Sequence, residues 1–186
     1  MPKGTKIVYQ DHATDLLDLA IHLISGVIFL HDQGIAHLDI KRENLLLSSA
    51  GKLSIIDFSI SQLVELDTTF TGFWGTQGCV APEIEKGKPF SPLLADRWAC
   101  GKVLRDMARE CSGSLFAQAI TLQAKYLTRT NPTMRLPLHL VRNALEALHQ
   151  LATYRVQPNS NTFMVNFRKR RLYASHDSVG FQEIMV

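Results

Sequence analysis

The sequence predicts a mainly α-helical fold with one small β-hairpin, and three observations predict it. Four stretches, at 14–31, 93–110, 116–127 and 139–151, place apolar side chains at helical spacing. Two short apolar runs flank a Ser-Ser-Ala-Gly-Lys turn, the pattern of a hairpin. With 186 residues and 46% hydrophobic content, the chain has the material for a single sizeable core.

In chain order, Leu16, Leu19, Ala20, Leu23, Val27 and Leu30 form an apolar stripe that Leu17, Ile24 and Ile28 widen, so the first helix is expected to be largely buried. Thr14 is read as its N-cap, Asp15 and Asp18 suit the positive end of its dipole, and Gln33-Gly34 ends it. The hairpin follows as Leu45-Leu46-Leu47 and Leu53-Ser54-Ile55-Ile56, which brings Asn44 and Asp57 toward one edge. Residues 59–80, rich in Thr, Gly and Ser, are expected to be a long irregular loop, a kind that tends to be functional. The helix from Leu93 to Glu110 carries Leu94, Trp98, Val103, Leu104 and Met107 and stops at Cys111-Ser112-Gly113. A helix at 116–127, a break at Asn131-Pro132 and a helix from His139 to Leu151 complete a domain of residues 1–152. Residues 153–186 read as a tail, with 163–167 a candidate strand.

The net charge of +3 owes four positive charges to Arg168-Lys169-Arg170-Arg171, so the rest of the chain sums to about −1. A basic nucleic-acid-binding face across the domain is therefore not indicated, and the cluster reads as a solvated tail, a nuclear localisation signal or a weak polyanion contact. No stretch matches a membrane span or a secretory leader, and the three cysteines, Cys79, Cys100 and Cys111, lack metal-ligand spacing. These features predict a soluble, intracellular chain with free thiols.

Three motifs carry the chemistry: His37-Leu38-Asp39-Ile40-Lys41-Arg42-Glu43-Asn44, Asp57-Phe58-Ser59 and Ala81-Pro82-Glu83. Singly, Asp39, Asn44 and Asp57 are ordinary turn or strand-end residues. At residue frequencies of roughly one in twenty, their joint occurrence in this order is not accidental. Together they resemble the protein kinase pattern His-Arg-Asp-x-Lys-x-x-Asn followed by Asp-Phe-Gly and Ala-Pro-Glu. Downstream, Asp96-x-Trp98-x-x-Gly101 and Asn131-Pro132-Thr133-Met134-Arg135 are similar to the family's later motifs, so the resemblance covers about residues 1–150.

The resemblance implies a kinase large lobe that transfers a phosphoryl group from ATP to a protein hydroxyl. Asp39 would orient the acceptor, Lys41 would sit beside the transferred phosphate, and Asn44 and Asp57 would hold Mg²⁺. Lys41 and the Gly75-Thr76 pair are similar to serine/threonine kinases, with Thr76 seating the acceptor. His37 and Trp98 are structural by the same resemblance; Asp96 would anchor the catalytic loop, and Arg135 would pair with Glu83.

The chain departs from the family in four places. Residues 1–36 contain no Gly-rich loop, no Val-Ala-Ile-Lys-like strand and no partner Glu, so residues 1–10 read as a hinge remnant of a lobe absent from the chain. Leu38 stands where many kinases have an Arg that receives a loop phosphate, although Thr68, Thr69 and Thr71 offer hydroxyls. Ser59 replaces a Gly whose backbone freedom the family uses. Asp96 and Arg135 are only 39 positions apart, implying a reduced docking helix. Three readings follow: a serine/threonine kinase lobe, weak or inactive unless another chain supplies the nucleotide roof; a non-catalytic scaffold; or an incomplete gene product.

Overall fold

The computed structural model describes residues 13–111 and 115–154, which fold as five helices and two small antiparallel sheets. Helix α1 spans Ala13–Asp32, so Thr14 lies inside it instead of capping it. Gly34, in the left-handed region at φ +69°, closes its C-terminus, and its N–H donates to the His31 carbonyl. Strand β1 (Ile35–Ala36) pairs with β4 (Gln62–Leu63), and β2 (Leu45–Leu47) pairs with β3 (Leu53–Ile55) in the expected hairpin. Helix α2 covers Pro82–Glu85, α3 Pro92–Glu110, α4 Leu115–Leu127 and α5 Leu138–Tyr154.

The long helices agree with the spacing that predicts them because each has one continuous apolar face to bury. Leu16, Leu17, Leu23, Ile24 and Val27 of α1 meet Leu104 and Met107 of α3, Ile120 and Leu127 of α4, and Val141 and Leu145 of α5 in the main core. Helix α3 packs chiefly on α4, and α1 on α5. A Cβ on Gly101 would lie 2.8 Å from the Leu127 Cβ and 3.0 Å from the Ala124 carbonyl oxygen, so the α3–α4 approach requires glycine there.

A second, smaller core of Ala36, Leu38, Val80, Ala81, Ile84, Phe90 and Ala95 lies under the 59–80 segment. That segment is more ordered than its composition predicts. It contains β4, an isolated bridge between Phe70 and Phe90, and a Phe70–Trp74 ring contact with centroids 5.1 Å apart. Two-residue strands show no alternation, so sequence periodicity cannot reveal them. The break at Asn131-Pro132 is a short 3₁₀ turn in which Asn131 Oδ1 accepts the Thr133 N–H. Among the described residues no helix is long and apolar enough to cross a membrane. The hinge remnant 1–10, the candidate strand 163–167 and the basic cluster 168–171 lie outside the described residues.

Candidate active site

The expected site residues converge on the turn between β1 and β2. Asp39 is the hub. Its Oδ2 accepts from Lys41 Nζ at 2.7 Å and from Asn44 Nδ2 at 3.0 Å, and its Oδ1 accepts from Thr76 Oγ1 at 2.7 Å. Lys41 Nζ also donates to Thr76 Oγ1 at 2.6 Å, closing a triangle of carboxylate, ammonium and hydroxyl. Asn44 Nδ2 further donates to the Asp39 carbonyl at 2.8 Å, fixing the turn itself. Partial burial alone would raise the Asp39 carboxyl, but the hydrogen bonds from Lys41, Thr76 and Asn44 and the Lys41 charge hold it below its ordinary 3.8. Asp39 is therefore fully ionised at neutral pH.

Gly75 brings Thr76 close enough. Its φ is +104°, and a Cβ there would sit 2.7 Å from both the Leu38 carbonyl oxygen and Val80 Cγ1. A residue with a side chain would push the Thr76 segment away from Asp39.

The backbone of the turn hangs on Asp96 of α3, which is 1% exposed. Its carboxylate accepts the His37 and Leu38 N–H groups, each at 2.8 Å, and His31 Nε2 lies 3.0 Å away. These bonds hold Leu38 at φ +66°, a conformation rare for a branched aliphatic residue. The Leu38 side chain is buried in the second core, so the position expected to receive a loop phosphate is an apolar plug. His37 ties the turn to the hairpin: its Nδ1 accepts the Asp39 N–H at 3.3 Å, leaving Nε2 to donate to the Ile56 carbonyl at 3.1 Å. Its ring meets Phe58 edge to face, and Ser61 Oγ donates to its carbonyl.

Asp57 follows β3 at the edge that Asn44 shares, because the Ile56 N–H donates to the Asn44 carbonyl. The left-handed backbone falls on Asp57 itself, at φ +66°, and not on Ser59. Asp tolerates this conformation, and Ser59 needs no glycine-like freedom. The Ser59 hydroxyl, followed by its backbone N–H, holds the exposed Asp57 carboxyl below its ordinary 3.8. Sequence reasoning did not foresee this contact. Asn44 uses Nδ2 for both side-chain bonds, leaving Oδ1 available. An amide oxygen and an ionised exposed carboxylate are hard oxygen donors, the set that suits Mg²⁺ completed by water and phosphate oxygens.

Glu83 and Arg135 form the expected pair. Arg135 Nη1 and Nη2 donate to Glu83 Oε1 and Oε2, both at 2.7 Å, and the guanidinium lies 5.1 Å over the Trp98 ring. Arg135 also donates to the Arg129 and Leu94 carbonyls, which joins α2, α3 and the 3₁₀ turn. Two contacts escaped sequence reasoning because nothing local signals them: the Arg42–Glu110 ion pair, and the bond from Lys102 to the Gly78 carbonyl.

Comparison with known proteins places this geometry in context. Residues 6–162 match the protein kinase domain family. The chain is 45% identical over 83 residues to CBL-interacting serine/threonine-protein kinase 8 of Arabidopsis thaliana, covering 44% of this chain and 19% of that protein. It is 44% identical over 91 residues to CBL-interacting protein kinase 29 of Oryza sativa subsp. japonica, covering 47% of this chain and 20% of that protein. The matched stretch thus spans about a fifth of the length of these curated relatives.

Proposed function

Because the chain belongs to the protein kinase domain family, we propose that residues 1–152 are the large lobe of a serine/threonine protein kinase, with Asp39 orienting the hydroxyl of a protein substrate. The observation that carries this proposal is the convergence of Lys41, Thr76 and Asn44 on the Asp39 carboxylate. A carboxylate has about four lone-pair sites, and three are used, so Oδ1 keeps one for an incoming hydroxyl. Held below its ordinary value, Asp39 is a weak base at neutral pH. Its contribution is to align the hydroxyl and to take the proton late, when phosphoryl transfer has made it acidic. The Lys41 ammonium, 2.6 Å from Thr76 Oγ1, supplies positive charge where the phosphoryl oxygens arrive. Asn44 Oδ1 and the Asp57 carboxylate are the ligands for Mg²⁺, and Mg-bound ATP supplies the phosphoryl group and its charge neutralisation.

Residues 1–36 hold no Gly-rich loop or strand Lys, so the nucleotide's other face needs a lobe from outside these 186 residues, in the same polypeptide or another. Similarity to kinases whose names specify serine and threonine supports the substrate class.

The test is a thermal-shift titration of the 186-residue chain with Mg-ATP, followed by transfer to a serine peptide. Mg-ATP is expected to raise the unfolding temperature slightly, Asp57→Asn to remove most of that rise and Asp39→Asn to keep it. Transfer by the chain without its nucleotide lobe is expected to be weak or absent, and any that is measured should vanish in Asp39→Asn. No stabilisation at millimolar Mg-ATP would rule out a chain that binds nucleotide by itself and favour the non-catalytic scaffold.

A further inference from the structure

A cavity of about 290 Å³ lies between α1, α3 and α5, outside the catalytic turn. Arg97 of α3 and Arg142 of α5 line it, His139 stands exposed on its rim, and Ile28 and Leu138 give it an apolar side. Arg97 is half-buried, and its Nε, shielded from solvent, has no hydrogen-bond partner among the described residues. Its Nη1 makes a long 3.5 Å contact to the Arg135 carbonyl. The neighbouring Arg135 is itself a cation already committed to Glu83. Burial, and after it the Arg135 charge, push the Arg97 guanidinium below its ordinary value against a smaller opposing effect of Cys100. Arg142 Nε is likewise shielded and without a hydrogen bond, with the Glu146 carboxylate 3.6 Å away. The acidic residue in the walls, Asp32, is exposed and pairs with neither arginine among the described residues.

A desolvated guanidinium nitrogen without an acceptor is unfavourable, and Arg97 presents one to this cavity. Beside it stands the half-exposed Arg142, whose ion pair with Glu146 is long and leaves Nε without a hydrogen bond; together they define a site for an anion. A phosphoryl group, with three acceptor oxygens and close to two negative charges, matches two guanidinium forks better than a singly charged carboxylate does. The cavity volume accommodates such a group with part of its carrier against Ile28 and Leu138. We propose that this cavity is a phosphoryl-binding site, with Arg97 and Arg142 as paired donors and His139 contributing at the rim. The ligand is free phosphate or a phosphorylated side chain, which share this chemistry. The assignment is independent of the catalytic proposal.

The test follows the Nε–Hε signals of Arg97 and Arg142 by NMR in the 186-residue chain at fixed ionic strength. The probes are inorganic phosphate, a phosphoserine peptide and its unphosphorylated twin, each against chloride. Both arginine signals are expected to shift saturably with the two phosphorylated probes. Arg97→Met and Arg142→Gln should each weaken binding at least tenfold, and Lys125→Gln, exposed on α4, should leave it unchanged. Tighter binding of the phosphopeptide identifies a phosphorylated side chain as the source, and equal binding identifies free phosphate. Arg142 is half-exposed, so its variant keeps the test valid if Arg97→Met fails to fold. Shifts that do not saturate, that chloride reproduces, or that persist undiminished in Arg142→Gln overturn the site; so does an absence of shift, the result expected if the chain's own carboxylates occupy the cavity.

Discussion

Asp39 is held by one ammonium, one amide and one hydroxyl, and each favours its ionised form. A carboxyl whose folded value lies below its unfolded 3.8 contributes stability above that value and loses it as pH falls through the lower folded value. Asp39→Asn removes this contribution at all pH values. The native chain should therefore be more stable than the variant at pH 7, and the difference should shrink toward zero as the solution is acidified below about pH 4. Urea unfolding of both proteins across that range measures it, and a difference that stays constant would contradict the sign. The Glu83–Arg135 pair makes a different demand on single residues. Arg135 is 2% exposed and Glu83 7%, so removing either partner leaves a buried charge uncompensated. Arg135→Met should cost about 3–5 kcal/mol, and adding Glu83→Gln should recover part of that loss by deleting the stranded carboxylate. Denaturant unfolding of both single variants and the double variant reads the coupling.

Packing is decided where elements meet. At Gly101 the α3 backbone approaches α4 so closely that a methyl group meets Leu127 and Thr128 side-chain carbons at 2.8 Å and a carbonyl oxygen of α4 at 3.0 Å. Helix propensity alone would make Gly101→Ala stabilising by up to about 1 kcal/mol. Because main-chain atoms are among the obstacles, overpacking wins, and the substitution should destabilise by about 1–3 kcal/mol in thermal or denaturant unfolding. This also shows what the sequence could reveal. The periodicity of α1, α3, α4 and α5 was legible because each helix buries a stripe long enough to repeat several times. The hairpin was legible from its turn. β1 and β4 were not, since two residues carry no period and their pairing depends on the Val64 N–H reaching the Gly34 carbonyl across the chain. Nor were the positive φ angles of Leu38, which the bonds to Asp96 hold against local preference, and of Asp57, a residue type that tolerates this conformation. Motif spacing located Asp39, Lys41, Asn44 and Thr76, but the Lys41–Thr76 contact and the Ser59 hydroxyl at Asp57 exist only in three dimensions.

The whole molecule turns on Asp96, where α1, α3 and the turn at Asp39 meet. One buried carboxylate accepts from the His37 and Leu38 backbone and faces His31 at the end of α1, so the helical core fixes the position of Asp39 through it. Leu38 at φ +66° stores on the order of 1–3 kcal/mol of strain. A hydrogen bond to a charged group contributes about 1.5–3 kcal/mol, enough to hold that conformation. Asp96→Asn keeps the volume but presents one acceptor oxygen and one donor nitrogen to sites that all supply donors. At least one backbone N–H is then left facing an N–H. The expected result is a loss of about 3 kcal/mol in unfolding free energy, against less than about 0.5 kcal/mol for the exposed Asp67→Asn. Hydrogen exchange separates this from general weakening: the His37 and Leu38 amides should lose more protection than those of α4, because the strained turn opens locally once its anchor is gone. Equal loss across all amides would mean that Asp96 supports the core alone and that the turn is held by other contacts.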